Sequence, residues 1–186
     1  MSWCDKGLGR AIRALGALAL ALSLAGCFQP LYGDRTIDGS PSLRDALSAV
    51  DILEIPAPKA TDEARLAVEI RNALIFDFTG GGGAAPPTHR LKIAISSTRT
   101  SIIVDINTSR PDVENYGINA TYSLTEIATG KVVVTGQTFA RVSYDTPGQQ
   151  QRFARLRGLR DAESRAAKVI AENVRSRLAS YFVAGT

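Results

Sequence analysis

Residues 118–144, INATYSLTEIATGKVVVTGQTFARVSY, decide the fold of this chain because they predict a β-hairpin. In the first half, apolar or small side chains recur at every second position, at Ile118, Ala120, Tyr122 and Leu124. In the second half, the same alternation predicts one face of a long strand, which consists of Val132, Val134, Thr138, Ala140, Val142 and Tyr144. This two-residue period is typical of strands with one buried face. Residues 128–131, ATGK, predict the tight turn between them, since a glycine suits a turn position with positive φ.

Two further strands precede this hairpin in the chain. Leu91, Ile93 and Ile95 alternate with polar or small residues, and residues 102–104 continue this strand after a bend. We expect a loop over residues 107–115 between that strand and the hairpin. Residues 50–55 predict a short first strand, which Pro56 ends.

Two amphipathic helices complete the pattern. Residues 61–78 carry an apolar stripe at helical spacing, and Thr61 or Asp62 can cap the free N–H groups of the first turn. A last helix runs to about Phe182, with a buried stripe that includes Ile170. Its start is open between Gln149 and Arg160, because an interior Gly158 costs about 1 kcal/mol.

The element order β-α-β-β-β-α predicts an α+β fold, a two-layer sandwich. About four strands form a mainly antiparallel or mixed sheet, and the two helices pack on one face of it. The opposite face of the sheet is then rich in Thr, Ser, Asn, Gln and Lys. Such a solvated face is common in antiparallel sheets. It would also suit contact with the polar lumen of an outer-membrane β-barrel.

The first 27 residues predict export and a lipid anchor. Lys6, Arg10 and Arg13 precede an apolar run over residues 14–25, which is too short for a bilayer span of roughly 20 residues. Small residues then lead into Cys27, the arrangement that bacterial lipoprotein processing requires, with a diacylglycerol on the sulfur and a further acyl chain such as palmitate on the freed amine. The alternative is an ordinary secretory signal with a coincidental cysteine. We predict a lipoprotein signal peptide over residues 1–26, a lipidated tether over residues 27–49 and a single α+β lipoprotein domain over residues 50–186.

Charge and cysteine content argue against several classes of function. The full chain carries +4, of which residues 1–26 contribute +2, so the processed chain would be near +2. This weak charge argues against general binding of nucleic acid. Cys4 would leave with the signal and Cys27 would carry lipid, so neither remains for a disulfide or a metal site. Phe28, rather than an acidic residue, follows the cysteine and favours the cell outer membrane, with the domain on the periplasmic side.

The sequence offers little support for catalysis. His89 is the only histidine, so a catalytic triad would depend on it alone. No Gly-x-Ser-x-Gly stretch and no His-Glu-x-x-His spacing occurs in the sequence. We therefore expect a protein that is not an enzyme and uses no metal or other cofactor.

Basic residues concentrate near the last helix. Residues 152–177 contain eight Lys or Arg against three Asp or Glu, a local charge of +5. The densest part is Arg152, Arg155, Arg157 and Arg160, and Arg110 in the expected loop is a fifth candidate. Guanidinium groups bind phosphate through paired hydrogen bonds. These five arginines are candidate phosphate contacts, and the alternative is a solvated helix face.

Two motifs resemble the LPS-assembly lipoprotein family, LptE. Residues 25–33, AGCFQPLYG, look like the start of alphaproteobacterial members, which often carry an additional glycine after the cysteine that is absent here. The C-terminal residues 161–182 are similar to the last helix of that family, and the β-α-β-β-β-α order spans almost all of the expected domain.

The resemblance implies a protein that plugs the LptD β-barrel at the outer membrane, supports its assembly and assists the insertion of lipopolysaccharide (LPS) into the outer leaflet. Cys27 is the one residue to which the family assigns a role. The role of the five arginines in binding LPS phosphates is our own hypothesis. An alternative is an auxiliary lipoprotein of another envelope lipid transporter, of the ABC type.

Overall fold

The computed structural model describes residues 42–105, 110–146 and 152–184. The expected signal peptide, Cys27 and most of the expected tether therefore lie outside the described residues. Within them the chain forms α1 (Leu43–Ser48), β1 (Val50–Ile52), α2 (Asp62–Thr79), β2 (His89–Asp105), β3 (Arg110–Glu126), β4 (Val132–Asp145) and α3 (Arg152–Ala184). The α+β class and the β-α-β-β-β-α order are confirmed, with the single helical turn of α1 in front of them.

The four strands form one mixed sheet in the order β1-β2-β3-β4. β1 runs parallel to β2, with Val50 opposite His89, whereas β2, β3 and β4 are antiparallel neighbours. The turn at residues 127–131 has the expected form, with Gly130 at φ 69°. The bend expected in the second strand is a register shift between Ser101 and Ile103, and the strand continues through it.

The prediction of a loop over residues 107–115 is wrong from Arg110 onward. β3 begins at Arg110 and pairs with the end of β2, so that Asn115 lies opposite Thr100. The segment contains Pro111 and several polar residues, which is why local composition reads as a loop. Its pairing with two long neighbouring strands outweighs that local preference.

The helices bury the stripes that their spacing predicts. α2 buries Leu66, Ala67, Ile70, Leu74 and Phe78. The stripe of α3 is rich in alanine and consists of Ala162, Ala166, Ala167, Ile170, Ala171, Val174, Leu178 and Ala179. Small side chains let α3 lie close to α2 and to the sheet, while each fully buried Leu or Ile contributes about 1.5–3 kcal/mol. Thr61 caps α2, since its Oγ1 accepts from the Ala64 N–H at 3.2 Å.

Gly158 lies inside α3, which begins at Arg152 rather than at Arg160. A Cβ at this position would lie 3.4 Å from the Asp145 carbonyl oxygen and 3.6 Å from Tyr144 Cδ2. Both distances are ordinary van der Waals contacts, so the first turns of α3 pack on the end of β4 and a Cβ would also fit there. An interior glycine costs about 1 kcal/mol, and the helix continues through this position because α3 is packed against the sheet over most of its length.

Among the described helices, none combines the length and the apolar composition needed to cross a membrane.

Candidate functional site

A cleft of about 400 Å³ lies between the start of α3 and the end of the sheet where β2 ends and β3 begins. Its lining consists of Arg99 from β2, Tyr144 from β4, and Arg155, Leu156 and Leu159 from α3. We call it the arginine cleft. The two guanidinium groups and the two leucines give it both cationic and apolar walls.

A buried carboxylate organises one side of the arginine cleft. Glu114 on β3 is 7% exposed. It accepts hydrogen bonds from the Tyr144 hydroxyl and, at 3.1 Å, from Arg155 Nη2. Burial, followed by the hydrogen bond to Glu114, raises the pKa of Tyr144 to about 12. The phenol is therefore a neutral donor at physiological pH and holds Glu114 beside Arg155.

The second arginine of the cleft, Arg99, is held by a carboxylate of α2. Arg99 Nη2 donates to Asp62 Oδ2 at 3.1 Å, which ties β2 to the first turn of α2. The side chains of Arg99 and Arg155 are 51% and 54% exposed. A guanidinium has five N–H donors in a rigid planar fork. Each arginine therefore keeps donors that a phosphate group entering the cleft could engage.

Of the five arginines proposed from the sequence, the structure describes the side chains of three, and it places one of these three in the cleft. Arg155 lines the cleft, whereas Arg157 and Arg160 are exposed on α3 and are not part of its lining. Arg110 and Arg152 begin β3 and α3, and their side chains lie outside the described residues.

Sequence reasoning missed Arg99, Glu114 and Tyr144 as partners in a site. A signal for Arg99 was present, because it continues the inward-facing positions of Leu91, Ile93 and Ile95 in steps of two. An arginine on a buried face needs a polar partner. Glu114 was hidden by the interpretation of residues 107–115 as a loop.

A second buried ion pair lies next to the cleft. Glu163 on α3 is 1% exposed and pairs with Arg65 on α2. Arg65 Nη2 also lies 3.3 Å from Asp62 Oδ1, so Asp62 connects this pair to Arg99. Burial raises the pKa of Glu163, and the hydrogen bond from Arg65 opposes this shift. These charges join α2, α3 and β2 at the end of the sandwich that holds the cleft.

The sheet face opposite the helices is polar, as the alternation predicts. We call it the open face, and it carries Lys92, Ser96, Thr98 and Thr100 of β2, Asn115, Asn119, Thr121 and Ser123 of β3, and Thr135, Gln137, Phe139, Arg141 and Ser143 of β4. Ser143 Oγ donates to Asn115 Oδ1 at 2.7 Å. Phe139, 64% exposed, is the exception to this polarity, and the Arg141 guanidinium carbon lies 5.7 Å from its ring centroid.

His89 packs within an aromatic cluster at the end of α3. Its ring meets that of Phe182 edge-on at 5.2 Å and that of Tyr181 at 6.5 Å between centroids. Its Nδ1 lies 2.9 Å from Thr88 Oγ1. Among the described residues, no three His, Cys, Asp or Glu side chains are grouped so as to hold a metal ion.

The environment of His89 predicts a pH dependence of stability. Burial lowers the pKa of His89, and Glu126 on the neighbouring strand opposes this shift. The unfolded chain therefore binds the proton first, so the contribution of His89 is complete above its unfolded pKa of about 6.5 and declines as the pH falls toward the folded value. We expect His89→Gln to lose this part of the pH dependence, measured by urea unfolding between pH 8 and 5. Identical pH profiles for the two proteins would contradict this assignment.

Comparison with known proteins establishes the fold. No family model and no curated protein matches the sequence. A Caulobacter crescentus protein assigned as a lipoprotein matches with a TM-score of 0.58 and 18% identity over 76% of this chain and 96% of that one. The rare lipoprotein B of Shewanella oneidensis matches with a TM-score of 0.52 and 12% identity over 72% of this chain and 96% of that one. An uncharacterised lipoprotein B of Nitrosomonas europaea matches with a TM-score of 0.54 and 11% identity over 73% of this chain and 84% of that one.

Proposed function

We propose that this chain is an outer-membrane lipoprotein that plugs an LptD-type β-barrel, supports its assembly and assists LPS transport to the outer leaflet. The sequence supports an anchor, because a short apolar signal leads directly into Cys27. The fold is that of three solved proteins described as lipoproteins. Lipids on Cys27 would hold the domain at the periplasmic side of the outer membrane.

The observation that carries the barrel proposal is the open face. A three-stranded area of Ser, Thr, Asn and Gln side chains faces outward, and none of the described helices covers it. The interior of an outer-membrane barrel is polar, so such a face could pack there without burying unpaired apolar area. Its formal charges are those of Lys92, Arg141, Asp145 and the Arg90–Asp51 pair. Charges of both signs therefore lie on this face, which limits the net charge that insertion would desolvate.

The test is a pull-down from detergent extract with the full chain as bait. Recovery of a large β-barrel protein supports the proposal, and recovery of an inner-membrane ABC transporter supports the alternative instead. Thr121→Arg with Asn119→Arg places two bulky charges on the open face and should abolish barrel recovery. Val68→Arg, at a 59% exposed position on α2, is the matched control and should leave recovery intact. Equal recovery with both variants would exclude the open face as the contact surface.

The arginine cleft is the part of the protein that we propose to bind LPS. Its two guanidinium groups suit the phosphates of the lipid, and Leu156 and Leu159 provide an apolar wall beside them.

We expect Arg99→Gln with Arg155→Gln to weaken LPS binding at least about tenfold, a loss of roughly 1.4 kcal/mol, because two charged contacts are removed. The measurement is a titration of the detergent-purified full chain with LPS at several salt concentrations. Arg157→Gln with Arg160→Gln removes the same charge outside the cleft and is the matched control. If both pairs lose affinity equally, binding depends on overall charge and the cleft has no specific role.

A further inference from the structure

β4 is a long edge strand with little of the usual protection. The sheet order leaves β1 and β4 at the two edges. β1 has three residues, and Arg71 Nε donates to its Ile52 carbonyl at 3.0 Å, which blocks that edge. β4 has 14 residues, with no proline and no lysine, and Arg141 is its single cation. Natural edge strands are usually short or carry prolines, lysines or bulges, because unpaired N–H and C=O groups invite another strand.

The structure indicates which backbone groups of β4 point away from β3. The Ser143 carbonyl accepts from Arg165 Nη2 of α3 at 3.4 Å, so it lies outside the ladder with β3. In an antiparallel strand the N–H and C=O of one residue point to the same side and alternate along the chain. The outward groups are therefore those of Thr135, Gln137, Phe139, Arg141 and Ser143, and within the described residues no strand pairs with them.

We propose that a second copy of this chain pairs with this edge, β4 antiparallel to β4, about a two-fold axis at Phe139. Arg141 then lies opposite the partner's Gln137, and Ser143 lies opposite the partner's Thr135. The outward N–H and C=O groups of the central residues all gain partners. In this dimer Arg165 loses its hydrogen bond to the Ser143 carbonyl and retains its ion pair with Asp161, at 2.7 Å.

This register is favoured by side-chain complementarity. The two Phe139 rings meet on the continuous open face, which covers the most exposed apolar side chain of that surface. A register centred on Arg141 would place two guanidinium groups directly opposite each other, which is unfavourable. A register centred on Ser143 pairs Arg141 with Asp145 but overlaps only a few described residues. The edge is therefore self-complementary over most of its length, which is why we assign a second copy rather than a different protein.

The test is cysteine cross-linking at the two-fold axis in the full chain. Phe139→Cys should form a disulfide-linked dimer under mild oxidation at least about tenfold more than Thr121→Cys, because directly opposed Cα atoms lie about 5.5 Å apart, within the range for a disulfide. Thr121 is also exposed on the open face but belongs to the central strand β3. Both variants also carry Cys4→Ser, so that an unprocessed signal peptide cannot cross-link.

A second variant tests the backbone contact without cysteine chemistry. Gln137→Pro removes one outward N–H that does not belong to the β3 ladder, and edge strands tolerate proline at such positions. We expect it to remain folded by circular dichroism and to sediment as a monomer where the parent chain sediments as a dimer. A monomeric parent chain, or cross-linking of Thr121→Cys equal to that of Phe139→Cys, would overturn the proposal. Neither measurement involves a barrel protein or LPS, so the outcome is independent of the proposed function.

Discussion

Replacing Arg65 with alanine is expected to lower the free energy of unfolding by about 3 kcal/mol, because it leaves a carboxylate buried without its cation. Glu163 is 1% exposed, and Arg65 reaches it across the interface between α2 and α3. The same arginine also contacts Asp62 at 3.3 Å. Arg65 itself is 43% exposed, so water can partly replace it, and we place the loss at the lower end of the range for broken buried pairs. Urea unfolding of the two proteins at neutral pH measures this loss.

Two comparisons distinguish this effect from a simple loss of contacts. Adding Glu163→Gln to Arg65→Ala removes the unpaired charge and should recover more than half of the lost stability. Arg90→Ala breaks an exposed pair with Asp51 at 3.4 Å and should cost less than about 1 kcal/mol. A double variant as unstable as Arg65→Ala alone would mean that packing, rather than the buried charge, explains the loss.

The sign of the pH dependence provides a further check on the same pair. The pKa of Glu163 is raised by burial in the folded protein. Without Arg65 the folded state should hold this proton still more tightly than the unfolded chain does. The deficit of Arg65→Ala relative to the parent protein should then shrink as the pH falls into the acid range, because folding takes up the proton. A deficit that stays constant between neutral and acid pH would contradict this account.

Replacing Gly136 with alanine is expected to cost about 2–3 kcal/mol through overpacking. Gly136 lies opposite Tyr122 in the β3–β4 ladder, and a Cβ there would be 2.5 Å from the Tyr122 hydroxyl oxygen and 2.6 Å from Cζ. Tyr122 is 8% exposed, so its ring has little room to move away from the added methyl group. Thermal or urea unfolding measures the loss.

The control for this change is another glycine. A Cβ at Gly83 would meet nothing within 4 Å, so Gly83→Ala should leave stability nearly unchanged. Tyr122→Leu removes the ring that causes the clash. The double variant Gly136→Ala with Tyr122→Leu should therefore be more stable than the sum of the two single losses predicts. Strict additivity would show that the clash does not determine the effect.

The arginine hypothesis illustrates how far local sequence can define a site. Clustering along the chain suggested that Arg152, Arg155, Arg157 and Arg160 act together. On a helix, however, neighbours in sequence point in different directions, with 3.6 residues per turn. Arg155 faces the sheet and pairs with Glu114, whereas Arg157 and Arg160 face solvent. The partner of Arg155 in the cleft is Arg99, which is 56 positions away in the chain.

Local sequence patterns are enough to predict the class of the main helices and strands and the faces that they bury. The two-residue period of residues 118–144 and the helical stripes of α2 and α3 are local properties, because each follows from the geometry of one strand or helix. The polar character of the open face follows from the same alternation. The motif around Cys27 is equally local, and the lipid anchor remains a prediction because it lies outside the described residues.

Which elements become neighbours depends on the folded chain and does not follow from local sequence. The parallel pairing of β1 with β2, the strand character of residues 110–115 and the meeting of Arg65 with Glu163, 98 positions apart, depend on long-range contacts. The periodicity of a sequence predicts that one face of an element is buried, but it does not identify the element against which that face packs. Once the sheet order brings β2, β4 and α3 together, Arg99, Tyr144 and Arg155 surround one cleft, because the inward faces of separate elements then share one space.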